Sequence, residues 1–291
     1  MKALCLKNRR VLISGAASGL GLALAKVFNS LGAKVCIADI DENNGHAALA
    51  LLPNQDIDHY FTKLDVTVPA DWAGVKEEIE SRWGGLDVLV NNAGVAGTVG
   101  PMQSISSEDW QWVLNINLTG TITGCRTFIP TLAESSAGAI VNIASAAGLL
   151  NAPLMASYNV SKASVIALSE TLHTELSTQG TRVVVACPAF FTTNLCSSLR
   201  SDIPGMQGRI QHLMSRSGVS AEDVAEQIVD ALRGKKFMVI THALERRYWL
   251  IKRWWPSKFY QMLTNQAKKM IGGNNVKNSS GDENTKKDAQ I

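Results

Sequence analysis

The chain has 291 residues, of which 46% are hydrophobic and 18% charged, with a formal net charge of +3. This balance excludes a disordered chain, and the length is enough to bury a large core without disulfide or metal staples. Seven basic residues and one acid fall between 245 and 269, so the body of the chain is mildly acidic and offers no nucleic-acid-binding face.

Residues 10–14 (RVLIS) form a short apolar run and predict a first strand. A glycine-rich turn follows, and residues 20–31 carry Leu20, Leu24, Val27, Phe28 and Leu31 at helical spacing, with Gly32 as the stop. Further strands are predicted at 34–38, 60–64, 88–90, 139–143, 182–186 and 237–240. The main intervening helices are predicted at 107–132, 157–177 and 221–232. Several strands are nearly continuous apolar runs, as in a parallel sheet covered on both faces. The pattern predicts a single doubly wound α/β domain of Rossmann type with a parallel seven-stranded sheet, spanning residues 1–240. Residues 241–273 are read as a basic aromatic helical extension, and the polar residues 274–291 as a disordered tail. Pro256 should open the second helix of the extension and Gly272-Gly273 should stop it.

Cys5, Cys36, Cys125, Cys187 and Cys196 form no CxxC pair and no zinc spacing, which fits reduced thiols. The histidines show no metal-ligand spacing, and no metal is predicted. No run reaches the roughly 18 apolar residues of a membrane span. The first strand starts near Arg10, leaving no room for an apolar leader, so a cytoplasmic location is expected.

Three local patterns carry chemistry. The turn Ser14-Gly15-Ala16-Ala17-Ser18-Gly19-Leu20-Gly21 spaces its glycines as GxxxGxG. Such a turn lets the backbone approach a diphosphate, and the next helix aims its N-terminal N–H groups at it. Asp39 ends the second strand, twenty positions after Gly19. A carboxylate there accepts from ribose hydroxyls and repels a 2′-phosphate, which selects NAD over NADP. Tyr158 and Lys162 stand four apart, so on a helix they share a face, and the ammonium is expected to lower the pKa of the phenol.

Together with Asp65-Val66, Asn91-Asn92-Ala93-Gly94, Asn117 in Ile-Asn-Leu-Thr-Gly, Ser145, and Pro188 onward to Thr193, these motifs occur in a characteristic order. Over roughly residues 6–234 the chain resembles the short, single-domain members of the short-chain dehydrogenase/reductase family. The resemblance implies a catalytic set of Asn117, Ser145, Tyr158 and Lys162. Tyr158 would give and take the proton at the substrate oxygen, and Lys162 would hold the nicotinamide ribose. Ser145 would bond the substrate oxygen, and Asn117 would anchor a water. The implied cofactor-binding residues are Gly15, Ser18, Gly19, Leu20, Gly21, Asp39, Ile40, Asp65, Val66, Asn91, Ala93, Gly94, Pro188, Phe191 and Thr193, with Tyr158 and Lys162. Ser14 and Ala189 depart from the usual threonine and glycine. The resemblance also implies a homodimer or homotetramer built on the 107–132 and 157–177 helices.

Three segments should surround the substrate, at 95–101, 146–155 and 190–219. Val95, Val99, Leu149, Leu150, Leu154, Met155, Phe190, Leu195, Leu199, Met206, Ile210, Leu213 and Met214 make them largely apolar. The expected function is NAD-dependent interconversion of a hydrophobic secondary alcohol and its ketone. The alternatives are a membrane-associated reductase of lipid-like carbonyls and a catalytically silent NAD-sensing protein of the same fold. Arg200, Arg209 and His212 are read as solvated loop charges, or else as partners for a substrate carboxylate. Residues 246–271 interleave six aromatic residues with basic ones. They are read as packing on their own domain or a partner subunit over the substrate pocket, as lying on an anionic membrane surface, or as binding single-stranded nucleic acid.

Overall fold

The computed structural model describes residues 4–278 apart from 190, 192–194, 196–197, 202, 204, 206–207, 209–211, 213–217 and 235, with side chains described to residue 268. The chain forms two compact units, Met1–Glu245 and Arg246–Ile291.

In chain order the first unit contains β1 (Arg10–Ser14), α1 (Gly19–Ser30), β2 (Lys34–Asp39), α2 (Glu42–Leu49), β3 (Tyr60–Lys63), α3 (Pro69–Trp83), β4 (Val88–Asn91) and the short β5 (Gly97–Thr98). Next come α4 (Ser107–Leu114), α5 (Gly120–Ala133), β6 (Ala139–Ile143), α6 (Ala146–Leu150), α7 (Ala156–Ser177) and β7 (Arg182–Ala186). The short β8 (Leu199–Arg200), α8 (Ala221–Gly234) and β9 (Met238–Val239) follow.

Seven strands form one sheet in the order β3-β2-β1-β4-β6-β7-β9, and every neighbouring pair is parallel. The chain runs outward from β1 on one side and from β4 on the other. The crevice for a ligand therefore opens where β1 and β4 lie side by side, at their carboxyl ends. There Val11, Leu12 and Ile13 pair with Val88, Leu89 and Val90.

Strand side chains alternate between the two faces, and each face has its own core. Val11, Ile13, Val35, Ile37, Val88 and Val90 pack against α1 and α8 through Leu24, Phe28, Val224 and Ile228. Leu12, Leu89 and Ile140 face the other way, toward Trp72 and Ile79 of α3, Phe128 and Leu132 of α5, and Leu172 of α7. Burying each large side chain stabilises the fold by about 2 kcal/mol before entropy is counted.

Caps set several helix ends. Asp41 accepts from Asn44 N at the start of α2, and Ser106 accepts from Asp109 N at the start of α4. Gly84, at φ 70°, closes α3 in the left-handed region. The single helix expected over 107–132 is interrupted. Between α4 and α5, Asn115–Thr119 takes π-helical form, and Asn117 turns its amide inward.

In the second unit, residues 246–254 belong to α9 (Ala243–Trp254), and α10 (Pro256–Asn278) follows. Pro256 opens α10, as expected. The helix does not stop at Gly272-Gly273 but runs to Asn278, so residues 274–278 are helical rather than part of an irregular tail. Glycine lowers helix propensity by about 1 kcal/mol but keeps its N–H, so it weakens a helix without ending it. Residues 279–291 of the expected tail lie outside the described residues. Among the described residues, no helix is long and apolar enough to cross a membrane.

Candidate active site

A cavity of about 480 Å³ follows the carboxyl ends of the strands on both sides of the β1–β4 crevice. The glycine turn forms one end of it. Gly15 sits at φ 65°, and a Cβ there would lie 2.8 Å from Ala93 Cα. At Gly21 a Cβ would lie 2.2 Å from Gly15 O, so both glycines are required for the turn to close. Unlike α2 and α4, α1 begins without a cap, because the Ser18 side chain makes no cap bond. The N–H groups of its first turn are free to meet an anion.

Ser14 and Asn92 bind the turn to the loop after β4. Ser14 Oγ accepts from Asn92 N at 3.1 Å and Ala93 N at 3.2 Å. Asn92 Nδ2 donates to Ser14 O and Gly15 O, both at 2.9 Å. Asp39 Oδ2 accepts from Ala17 N at 2.9 Å, and Oδ1 from Asp41 N at 3.1 Å. Each oxygen keeps a lone pair for a further donor.

At the other end, Tyr158 and Lys162 project from the first turns of α7, and both are buried. Lys162 Nζ donates to Ile143 O at 2.9 Å and lies 5.9 Å from the centre of the Tyr158 ring. Ser145 caps α6, accepting from Ala147 N at 3.1 Å while its hydroxyl donates to Pro188 O at 3.3 Å. A Cβ at Gly94 would come within 3.3 Å of Lys162 Nζ, so this glycine leaves room beside the ammonium.

Burial pulls Lys162 down to about 8, partly offset by the Cys187 thiol nearby. Burial pushes the Tyr158 phenol up, and the Ser145 hydroxyl beside it works the other way. The expected lowering of the Tyr158 pKa is therefore absent in the chain without cofactor. The ammonium spends a hydrogen bond on Ile143 O, and burial governs the phenol.

The cavity wall contains Gly15, Ser18, Gly19, Leu20, Asp39, Ile40, Asp65, Val66, Ala93, Gly94, Ser145, Tyr158, Lys162, Pro188 and Phe191. Three expected residues stand behind it. Gly21 is consumed in closing the turn. Asn91, as the last residue of β4, points into the protein, where its Nδ2 donates to Asn142 Oδ1 at 2.9 Å and to Cys125 Sγ at 3.3 Å. Its neighbour Asn92 lines the cavity instead. Asn117 is fully buried, and its side chain bonds Val95 and Ser161. Thr193 lies outside the described residues.

Of the expected apolar set, Val95, Leu150, Met155, Leu195 and Leu199 line the cavity. Val99 and Leu154 pack in a small cluster with Ala96 and Leu199. Leu149 packs near Val165 and Cys187. Phe190, Met206, Ile210, Leu213, Met214 and Arg209 lie outside the described residues. Arg200 is exposed, as a loop charge would be, and it also pairs with Asp109 and stacks on Trp112 at 3.9 Å.

Two lining features were not anticipated. Glu245 contributes a carboxylate, although its sequence position groups it with the basic extension. Ala189 N donates to His242 Nδ1 at 3.3 Å. A backbone N–H can only donate, so this nitrogen acts as the acceptor.

The glycine cradle, the uncapped α1 and the open carboxylate of Asp39 fit a nicotinamide dinucleotide. Residues 9–204 match the family described as short chain dehydrogenase. The chain is 32% identical to 2-(S)-hydroxypropyl-CoM dehydrogenase 3 of Xanthobacter autotrophicus, over 77% of this chain and 89% of that one. It is 34% identical to 3-alpha-(or 20-beta)-hydroxysteroid dehydrogenase of Mycobacterium bovis, over 66% and 72%. Its fold matches a short chain dehydrogenase/reductase from Burkholderia phymatum solved in complex with NAD. That TM-score is 0.80 at 29% identity, covering 86% of this chain and 94% of that one. The family is one of NAD(P)-using oxidoreductases that act on alcohols and ketones. The chain belongs to the short-chain dehydrogenase/reductase family.

Proposed function

We propose that the chain is an NAD-dependent dehydrogenase that interconverts a hydrophobic secondary alcohol and its ketone, with Tyr158 as the acid/base. The main support is the joint burial of Tyr158 and Lys162 on one face of α7, beside Ser145 and at the apolar end of the cavity. Two relatives whose names specify secondary hydroxyl groups support the substrate class.

A bound dinucleotide supplies or takes the hydride. The raised Tyr158 phenol holds its proton at neutral pH and delivers it from Oη to the carbonyl oxygen of a ketone. Giving up that proton leaves a phenolate, which the Lys162 ammonium stabilises, and in the reverse direction the phenolate receives the alcohol proton. Ser145 has only a long bond to Pro188 O to give up, so its hydroxyl can turn to the substrate oxygen. Gly15, Ser18, Gly19 and Leu20 bind the diphosphate, and Gly21 keeps their turn closed. Asp65 and Val66 flank the adenine. Ala93, Gly94, Pro188 and Phe191 border the nicotinamide, and Lys162 holds its ribose.

Asp39 and Ile40 specify NAD. Among the described residues lining the cavity, Lys162 is the one Lys or Arg, and it lies at the opposite end. A 2′-phosphate would meet the Asp39 carboxylate with no cation to offset it. Pairing of subunits through α4–α5 and α7 is part of the same reading, supported by the exposed Val160 on α7.

The test is absorbance at the reduced-nicotinamide band, with NAD or NADP, across medium-chain, aryl and steroid alcohols. Turnover with NAD that disappears in Tyr158→Phe is expected. Tight NAD binding with no turnover on any alcohol or ketone would favour a silent cofactor sensor. Better turnover with NADP would overturn the role of Asp39.

A further inference from the structure

The second unit presents side chains that the oxidoreductase chemistry does not use. On α9, Arg246, Arg247, Leu250, Arg253 and Trp254 are all exposed. Their spacing of three and four residues puts them on one face of the helix. Leu250 is 42% exposed and Trp254, one turn later, 69%. Trp255 follows at 63%, and Tyr260 of α10 is exposed at 51%. Lys258, between them, is exposed as well. A different face of α10 carries Phe259, which is buried, and Leu263 and Ala267, half-buried at intervals of four.

Exposed tryptophans beside one another are unusual, because each leaves a large apolar ring in water. The flanking charge is of one sign, since no Asp or Glu occurs from Arg246 to Gly281. Lys252 Nζ lies 5.9 Å from the rings of both Phe259 and Tyr260, which links α9 to α10 across the Pro256 break.

We infer that this face, centred on Leu250, Trp254 and Trp255 and ringed by Arg246, Arg247, Arg253 and Lys258, docks on an anionic lipid surface. Indole rings suit the boundary between headgroups and acyl chains, with the ring body in the apolar layer and the N–H at the wet edge. The guanidinium and ammonium groups meet the negative headgroups. Neither helix can span a bilayer, so the contact is peripheral. A second copy of the chain is the poorer occupant. A self-complementary contact would bring the same four cations against one another with no acid in the stretch to pair them.

The test reads binding rather than turnover, so it stands apart from the proposed activity. Full-length protein is floated with vesicles of phosphatidylcholine alone or with about 30% phosphatidylserine, an anionic surface of physiological type. Flotation with the anionic vesicles, little with the neutral ones and loss in high salt are expected. Trp254→Ser with Trp255→Ser, at exposed positions that spare the fold, should lower the bound fraction about tenfold or more. Arg246→Glu with Arg247→Glu should abolish it while thermal unfolding stays unchanged. Equal flotation on both vesicles, none on either, or full binding by both variants would overturn the inference. So would tighter binding to a single-stranded oligonucleotide than to the vesicles. Dissociation of an oligomer in the tryptophan variant, seen by sedimentation, would assign the face to a subunit contact instead.

Discussion

Asn117 grips Val95 by both of its main-chain polar atoms: Oδ1 accepts from Val95 N at 2.8 Å, and Nδ2 donates to Val95 O at 3.0 Å. The same Nδ2 donates to Ser161 Oγ at 3.1 Å, and Ser161 Oγ donates to Tyr158 O at 2.8 Å. One amide thus joins the loop after β4 to the first turn of α7. The π-helical turn at Asn115–Thr119 is the local departure from α-helix that accompanies this reach.

Asn117→Ala should leave the part-buried Val95 N–H and C=O without their partner. Each buried group left unpaired costs about 1–3 kcal/mol. Urea unfolding should show a loss of that order, and kcat should fall because Val95 and Tyr158 are both less well held. Wild-type stability and kcat in this variant would mean that the grip on Val95 is incidental.

Lys162 gives the cofactor-free chain a distinctive pH dependence. Burial sets its folded pKa near 8, below the ordinary 10.5. Below pH 8 the folded protein must carry a buried charge, so folding is penalised in full. As pH rises from 8 to 10.5 the unfolded chain binds more protons than the folded one, and stability rises, by up to about 3 kcal/mol from this group. The raised Tyr158 phenol acts oppositely, but only once pH reaches the ordinary tyrosine range near 10. Subtracting the unfolding curve of Lys162→Met from that of wild type should isolate a gain between pH 8 and 10. Lys162→Met should also be more stable than wild type at pH 7 and inactive. Parallel curves for the two proteins across that window would refute the buried ammonium.

Much of this site was legible in residue spacing. The glycines at 15, 19 and 21, Asp39 at the end of an apolar run, and the tyrosine–lysine pair one helical turn apart all express local backbone geometry. The seven strands were legible because short, nearly continuous apolar runs mark most of them. What escaped depends on contacts distant in sequence. Asn91 and Asn92 are adjacent and identical, yet strand alternation sends one into the protein and leaves the other on the cavity wall. No proline or glycine marks 115–119, where the helix leaves α form. The break comes from Asn117 reaching Val95 and from Gly120, where a Cβ would meet Val66 at 2.9 Å. Arg200 read as a loop charge because Asp109, its partner, lies 91 positions away.

Asp39 has two separable tasks. Its Oδ2 holds Ala17 N, which shapes the glycine turn, and in the proposed reading its charge would face the adenosine of the cofactor. Asp39→Asn keeps an acceptor for Ala17 N but removes the charge, so affinity for NAD should fall modestly while NADP improves. Asp39→Ala loses both, and a charged-acceptor bond of about 1.5–3 kcal/mol predicts roughly 10–100-fold weaker NAD binding. Adding Ile40→Arg to Asp39→Ala should reverse the preference toward NADP. Ratios of kcat/KM for the two cofactors across the series decide it, and an unchanged ratio would remove Asp39 from cofactor choice.

Leu195 and Leu199 line the cavity from the segment that carries β8. β5 and β8 pair in parallel, Gly97 with Leu199 and Thr98 with Arg200, and Val99 N donates to Arg200 O at 2.8 Å. Arg200 adds a side-chain clasp, pairing with Asp109 of α4 and lying over the Trp112 ring. Thr98 Oγ1 donates to the other oxygen of Asp109 at 2.9 Å, and these bonds hold its carboxyl below the ordinary range. Because the Arg200 side of the pair is largely exposed, its removal should cost global stability no more than about 1 kcal/mol. Its effect should fall on that segment, which carries Leu195 and Leu199 into the cavity wall. Arg200→Ala and Asp109→Asn should therefore raise KM for apolar alcohols several-fold, with cofactor binding and Tm nearly unchanged. The double variant should be no worse than the singles, since each removes the same clasp. Additive losses, or a fall in kcat at constant KM, would place the two residues in separate roles.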